Sequence, residues 1–447
     1  CNTEIYLTNA SVIIDGQGTS NLFGYSINSI GDLDQDGLED IIVGAPKNDD
    51  SDTQAGSSYI FFGKTLLSEP NISANNADYI ILGSNEYDES GTSVSGAGDV
   101  DGDGKPDIIV SSFSRFGDLY LNGEVYLFLG RSLNDTRILS VEDADYQWYG
   151  EEADDYAGTP VCSAGDVDGD GLSDFFVASS RKGYLILGKS VTGNQRKSLE
   201  TADHHFTVDS EEEFQHIECG GGEDIDGDGL ADLLLGSYND RAYLMLGSDI
   251  VAQSNIDLDT ASSVVFEGEV SEDYAGYSVA ITKDSDGDGK ADFLIGAPGY
   301  DESTGRVYLV LGKQISDGQT FSLSEAAYRF TGEKPGDQAG MKVISIHDAN
   351  RDGLSDIAIS SNQYINADGL YVGKVYMALS NQLNEETNIP LGDIQHSFVG
   401  NVQDEVAGSS ISSGDINGDG ISDILVGAPW NSVTYYEGGR TYLMLSQ

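Results

Sequence analysis

Asp32-Leu33-Asp34-Gln35-Asp36-Gly37-Leu38-Glu39-Asp40 decides how the whole chain is read. Carboxylates stand at positions 1, 3, 5 and 9, with a glycine at position 6. Oxygen donors at this density suit Ca²⁺, which takes about 6–8 hard oxygen ligands in a flexible shell. The alternate spacing turns three side chains inward, and the glycine permits the sharp turn. Position 7 can offer a backbone carbonyl, and position 9 can close the shell with both oxygens. The loop differs from an EF-hand, which closes with glutamate at about position 12 and lies between helices. Here the closing acid comes earlier, and Asp40-Ile41-Ile42-Val43 reads as a strand.

The pattern returns six times, starting at Asp99, Asp166, Asp224, Asp284, Asp348 and Asp415. One acidic Asp/Gly loop would read as a solvated turn, whereas seven in one register read as metal loops. The expected ligands of the first are Asp32, Asp34, Asp36, Leu38 through its carbonyl, and Asp40; of the second, Asp99, Asp101, Asp103, Lys105 and Asp107. The third and fourth offer Asp166, Asp168, Asp170, Leu172 and Asp174, then Asp224, Asp226, Asp228, Leu230 and Asp232. The fifth offers Asp284, Asp286, Asp288, Lys290 and Asp292. The last two are Asp348, Asn350, Asp352, Leu354 and Asp356, and Asp415, Asn417, Asp419, Ile421 and Asp423. Amide oxygens still coordinate, so Asn350 and Asn417 predict weaker sites, and the chain is expected to take up to seven Ca²⁺.

Loop starts are 58 to 67 residues apart. Each unit carries four short strand-like runs bounded by Gly, Asn and Asp. In the first these are Gly24 to Ile30, Ile41 to Ala45, Ser58 to Phe62 and Tyr79 to Leu82. Four strands per unit and seven units predict an all-β fold, a seven-bladed propeller of four-stranded antiparallel blades filling residues 1–447 as one domain. The last unit stops at its third strand, and an orphan strand at about residues 10–15 opens the chain. That strand is expected to complete the last blade and seal the ring, leaving no exposed edge.

Phe23-Gly24 followed by Gly44-Ala45-Pro46 is the pattern of the FG-GAP repeat, and the chain resembles the seven-bladed propeller of integrin α subunits. Ala-Gly forms of the first element recur at Ala157-Gly158, Ala275-Gly276, Ala339-Gly340 and Ala407-Gly408. The second element recurs at Gly296-Ala297-Pro298 and Gly427-Ala428-Pro429. Integrin α chains carry the metal loop on only some blades, whereas here every blade has one. Blade four has lost the first element, reading Glu213-Phe214-Gln215-His216. The likeness is therefore to a free-standing, microbial relative more than to an animal receptor subunit.

A formal charge of −54 disfavours nucleic acid and anionic membrane, which both need basic surface. The loops account for a large part of this acidity, and the surplus suits a salty or Ca²⁺-rich exterior. No apolar run reaches the ~18 residues of a spanning helix. Cys1 has two readings, the acylated first residue of a lipoprotein or an arbitrary chain start. Cys162 and Cys219 precede loops three and four. They read first as small buried thiols on neighbouring inner strands, with a disulfide as the alternative.

The resemblance makes the rim opposite the metal loops the ligand face. Its longer loops hold Phe113, Phe116, Tyr120, Tyr300, Tyr364, Tyr371, Trp430, Tyr435 and Tyr436. Rigid aromatics among Asn and Asp suit sugar or protein recognition. The five histidines show no metal spacing, and no nucleophile elbow or phosphate loop is present. Acidic runs such as Glu151-Glu152-Ala153-Asp154-Asp155 read as solvated turns. The expectation is an extracellular or cell-surface, non-enzymatic, monomeric recognition or adhesion propeller, stabilised by Ca²⁺ and binding a glycan or protein. A propeller-borne polysaccharide lyase or hydrolase, or a structural module of a larger surface protein, are the alternatives.

Overall fold

The computed structural model describes residues 3–113, 121–133, 136–193, 195–208, 217–383 and 387–446. Cys1, Phe116, Tyr120 and the stretch 213–216 lie outside these residues. The chain folds into seven sheets arranged as the blades of a propeller. In blade one, Ser26–Gly31, Asp40–Ala45, Ser57–Phe61 and Tyr79–Leu82 pair antiparallel in chain order from the axis outward. The other six repeat this arrangement.

The core lies between blades. The second strand of each blade is buried along its whole length, as in Asp40–Ala45 and Asp292–Ala297. Neighbouring blades cover both of its faces, so it reads as a continuous apolar run without alternation. Alternate residues serve opposite neighbours. Ile41, Val43 and Tyr59 pack with Leu425 and Leu443 of blade seven, while Ile42 and Ile60 pack with Val110 and Tyr126 of blade two.

The four antiparallel strands per blade match the sequence reading, and each blade carries a fifth that it did not anticipate. Ile138–Ser140, in the connector between the third and fourth strands of blade two, lies parallel to Tyr79–Leu82 of blade one. Asn255–Asp257 of blade four likewise lies on His204–Thr207 of blade three. Each blade therefore clasps its predecessor. Such strands span three or four residues, and in Asn71–Ser73 only Ile72 is buried. A single apolar residue gives no periodicity to detect.

This clasp makes ring closure double. Val12–Asp15 pairs antiparallel with Arg440–Met444 as the fourth strand of blade seven. Thr3–Tyr6 runs parallel to His396–Val399 as the fifth strand of blade six.

Cys162 and Cys219 are joined in a disulfide, so the second sequence reading holds. Their Cα atoms are 6.4 Å apart, inside the bridging range of roughly 4.4–6.8 Å. The bond ties the inner strands Val161–Gly165 and Ile217–Glu223 of blades three and four. A one-residue register shift between Cys219 and Gly222 recurs in the inner strands of blades one, two and three. The bridge closes a loop across a separation of 57 residues. In chain-entropy terms this is worth about 4 kcal/mol. Reduction, or Cys219→Ser, should lower the melting temperature by about 4 °C, read by calorimetry with and without reductant.

Candidate metal loops and the opposite rim

All seven nine-residue loops join the first and second strands of their blades, at one rim. In each, the glycine at position 6 has a φ between 82° and 94°, a left-handed backbone that a side chain would strain. Its N–H donates to the first aspartate, at 2.9 Å in Gly37–Asp32 and 2.7 Å in Gly289–Asp284. The position 5 N–H donates to position 3, as in Asp36–Asp34 at 3.0 Å. Asn350 and Asn417 accept the same bond from Asp352 and Asp419, both at 2.9 Å, so the amides keep the turn.

Three carboxylates converge, with oxygens within 4.8 Å of one another, at Asp32/Asp34/Asp36, Asp99/Asp101/Asp107, Asp166/Asp168/Asp174, Asp224/Asp226/Asp232 and Asp284/Asp286/Asp292. Like charges at this separation repel until a cation arrives, and an all-oxygen donor set suits a hard divalent ion. The residues therefore fit Ca²⁺. In blades two, three and five a base from the turn after the third strand also reaches position 3: Arg131 to Asp101, Lys189 to Asp168 and Lys313 to Asp286.

Position 9 does more than the sequence suggested. In every blade this aspartate is fully buried, and both oxygens accept backbone N–H groups. Asp40 takes the N–H of Leu33 on one oxygen and that of Gly63, beyond the third strand, on the other, each at 2.8 Å. Asp423 does the same with Ile416 and Ser446. The residue thus clamps the acidic hairpin to the third strand. Burial pushes the carboxyls of Asp40, Asp107 and Asp174 up to about 7.

The opposite rim redistributes the predicted ligand-face residues. Tyr371, Tyr435 and Tyr436 are exposed, the last at 66%. Trp430 and Phe113 line the mouth of the central channel, edge-on to Tyr25 and Tyr156 at centroid distances of 6.3 and 5.8 Å. Two candidates are packing platforms instead. Tyr364 is 7% exposed beside Lys334 and Lys374, and Tyr300 lies 3.8 Å beneath the Arg306 guanidinium. Cation–π contacts of this kind, with Lys374 and Arg306 largely buried, hold rings in place and withdraw them from a ligand.

Two further features of this rim were missed. Each third strand buries one tyrosine, among them Tyr59, Tyr184, Tyr308 and Tyr442. Blade-to-blade loops bury an acid: Asp88, Asp155, Asp273, Asp337 or Glu405. Asp273 accepts N–H groups from Glu269 and Ala275, both at 3.0 Å, and Glu405 accepts the Tyr442 hydroxyl at 2.9 Å. Asp155 belongs to the run read as a solvated turn. It is buried, accepting the Glu152 N–H at 2.9 Å, because the loop needs an internal acceptor. An acid three residues before Gly91, Gly158, Gly276, Gly340 and Gly408 was the available signal.

Residues 23–61, 90–128, 275–310 and 407–444 match the FG-GAP repeat. These are blades one, two, five and seven. Gly-Ala-Pro becomes Ser111-Ser112-Phe113 in blade two, and Ala178-Ser179-Ser180, Gly236-Ser237-Tyr238 and Ser360-Ser361-Asn362 in blades three, four and six. The chain is 29% identical to integrin alpha-5 of Xenopus laevis over 171 residues, 37% of this chain and 15% of that protein. It is 34% identical to the phosphatidylinositol-glycan-specific phospholipase D of Mus musculus over 150 residues, 32% of this chain and 17% of that protein. With integrin alpha-PS2 of Drosophila melanogaster the identity is 30% over 162 residues, 35% of this chain and 11% of that protein. The chain thus aligns with a small part of each relative.

Proposed function

We propose that this FG-GAP propeller, built like that of integrin α chains, is a Ca²⁺-stabilised extracellular recognition module. It binds a glycan or protein through the rim opposite its acidic loops. The observation that carries the reading is the contrast between the rims. One is a circle of carboxylate loops. The other presents exposed Tyr25, Tyr274, Tyr371, Tyr435 and Tyr436. Tyrosines on a rigid frame supply contact area at low entropic cost. An exterior location is supported by the disulfide, which persists in oxidising compartments. Extracellular Ca²⁺ modules bind at about 10⁻⁴–10⁻³ M, an affinity of use only outside cells. Among the described residues no helix is long and apolar enough to cross a membrane.

Arrays of glycans and extracellular proteins should yield a captured ligand. Tyr436→Ala should cost at least about tenfold in affinity while moving the melting temperature by less than about 1 °C, since most of its side chain is already in water. Trp430→Ala should weaken capture too, with a larger stability cost because the ring is half-buried on Tyr25. Arrays without a hit would favour a structural module instead. One relative is by name an enzyme. Release of new sugar ends from polysaccharide would therefore replace binding with turnover.

A further inference from the structure

The inner strands enclose a channel of about 1110 Å³, walled mostly by serines, glycines and small apolar side chains. Its mouth at the rim away from the metal loops is different. Two repeat positions build it. The residue after the Gly of the first element is Tyr25 in blade one and Tyr277 in blade five. The third place of the Gly-Ala-Pro element, proline in three blades, becomes Phe113, Ser180, Tyr238 and Asn362 in the others. These four line the channel, and the prolines do not.

Tyr238 and Tyr277 stack face to face, centroids 4.6 Å apart and planes 6° from parallel. Among the described residues lining the channel, two carry a formal charge, Glu218 and Lys342, and they bond to each other at 2.7 Å. They stand two blades apart, at the strand position that holds Ser26, Ser93 and Ser278 elsewhere. Each of those serine hydroxyls accepts an N–H of the next blade, from Val94, Val161 and Val343 at 2.9–3.1 Å. Blades four and six have exchanged that serine for a charge pair reaching across Tyr277. Independently, the Oδ1 of Asn362 has no hydrogen-bond partner, although the residue is only 7% exposed. A buried polar atom left unpaired costs about 1–3 kcal/mol and points to a missing partner.

The chemistry of this mouth selects its guest. A cation would meet Lys342. An anion would meet Glu218 and the field of a chain with a formal charge of −54. The pair is neutral as a whole, and offers a donor and an acceptor side by side. The stacked tyrosines and Trp430 offer flat apolar faces. A neutral saccharide has both complementary features, C–H faces for the rings and hydroxyls for the polar groups. The volume is slightly above the ~300–1,000 Å³ of small-molecule sites, enough for several sugar units. We propose that the channel mouth binds the end of a neutral saccharide chain, on the Tyr238–Tyr277 stack and the Lys342–Glu218 pair. This rests on the recognition reading above and names its ligand class and its place.

Trp430 is a built-in probe. The chain's other tryptophan, Trp148, is buried between blades two and three against Phe175. The Ca²⁺-loaded protein is titrated with short neutral gluco-, manno-, galacto- and xylo-oligosaccharides and, in parallel, with uronate and sulfated ones. A saturable fluorescence change with at least one neutral series is expected, together with reduced acrylamide quenching of Trp430, which requires no substitution. Tyr277→Ala and Lys342→Met should each weaken binding about tenfold or more. Tyr277→Phe, which keeps the stack and the fold, should weaken it less. Short saccharides reach only the mouth, so Tyr436→Ala should leave their affinity within about twofold. Response to none of the neutral series, or to acidic saccharides alone, overturns the proposal. So does binding that Tyr436→Ala abolishes while Tyr277→Ala and Lys342→Met preserve it, although the rim reading then survives. If the arrays capture nothing either, both fall.

Discussion

Stripping divalent cation from this protein should lower its melting temperature by about 10 °C. Each loop gathers three or four acids on one turn, and no other element brings compensating charge to all seven. A cation that binds the folded loop and not the unfolded chain stabilises by RT ln(1 + [L]/Kd), about 1.4 kcal/mol per site at ten times Kd. Seven sites give roughly 10 kcal/mol. A chain of 447 residues has an unfolding entropy of about 0.9 kcal/mol/K, which converts the sum to about 10 °C. Calorimetry of chelator-dialysed protein, titrated back with Ca²⁺ or Mg²⁺, measures this. Mg²⁺ should restore less, since it demands a tighter octahedral shell. An unmoved transition would sink the structural role of the loops.

The pH dependence carries a sign that tests the same claim. Burial pushes Asp40, Asp107 and Asp174 up to about 7, and Asp232, Asp292 and Asp423 up to about 6. In the unfolded chain these carboxyls titrate near 4. Between about pH 4 and 7 the metal-free folded state therefore holds protons that the unfolded chain has released, and stability falls as pH rises. A bound cation reverses this, because protons then compete with it for the carboxylates. Metal-free protein should melt higher at about pH 5.5 than at about pH 7.5, and loaded protein lower. The same sign in both forms would show that the position 9 acids do not sense the metal.

The sequence exposed most of the architecture because the repeat is dense. Seven Asp/Gly loops in one register mark every first hairpin, and the continuous apolar runs after them mark every second strand. What it hid was shared between blades. The fifth strand adds one buried side chain in a three-residue element such as Asn71–Ser73, and its partner lies in another repeat. The position 9 clamp depends on Gly63 and its equivalents, more than twenty residues on in blade one. Aromatic content alone could not separate roles on the ligand rim. Tyr364 and Tyr436 look alike in a loop, yet Lys374 lies under one ring and solvent around the other. Cys162 and Cys219 were legible as neighbours, but their bonding turns on a separation that only coordinates give. The mouth residues were signalled by absence, the proline missing from four Gly-Ala-Pro elements.

Deleting residues 1–15 should be as costly as removing every metal, and by a different route. The segment supplies the fourth strand of blade seven and the fifth of blade six. It buries Leu7, Val12 and Ile14 at 0–3% exposure. Burial of three aliphatic side chains is worth about 6 kcal/mol before any backbone pairing is counted. Asp15 also accepts from Arg440 Nε at 2.7 Å, and without it a nearly buried guanidinium loses its carboxylate. Arg440–Met444 would become an open edge inside the ring, and open edges recruit strands from other chains. The truncated protein should melt at least about 10 °C lower and elute as dimers or larger species in size-exclusion chromatography. Ile14→Asp in the full chain should reproduce the thermal loss, because it buries a charge where blade seven meets blade one. A synthetic peptide of residues 3–16, added to the truncated protein, should restore both melting and size by rebuilding the two strands. Unchanged melting together with a single monomeric peak would mean that the ring holds through blade contacts alone, and that the closing strands contribute little to stability.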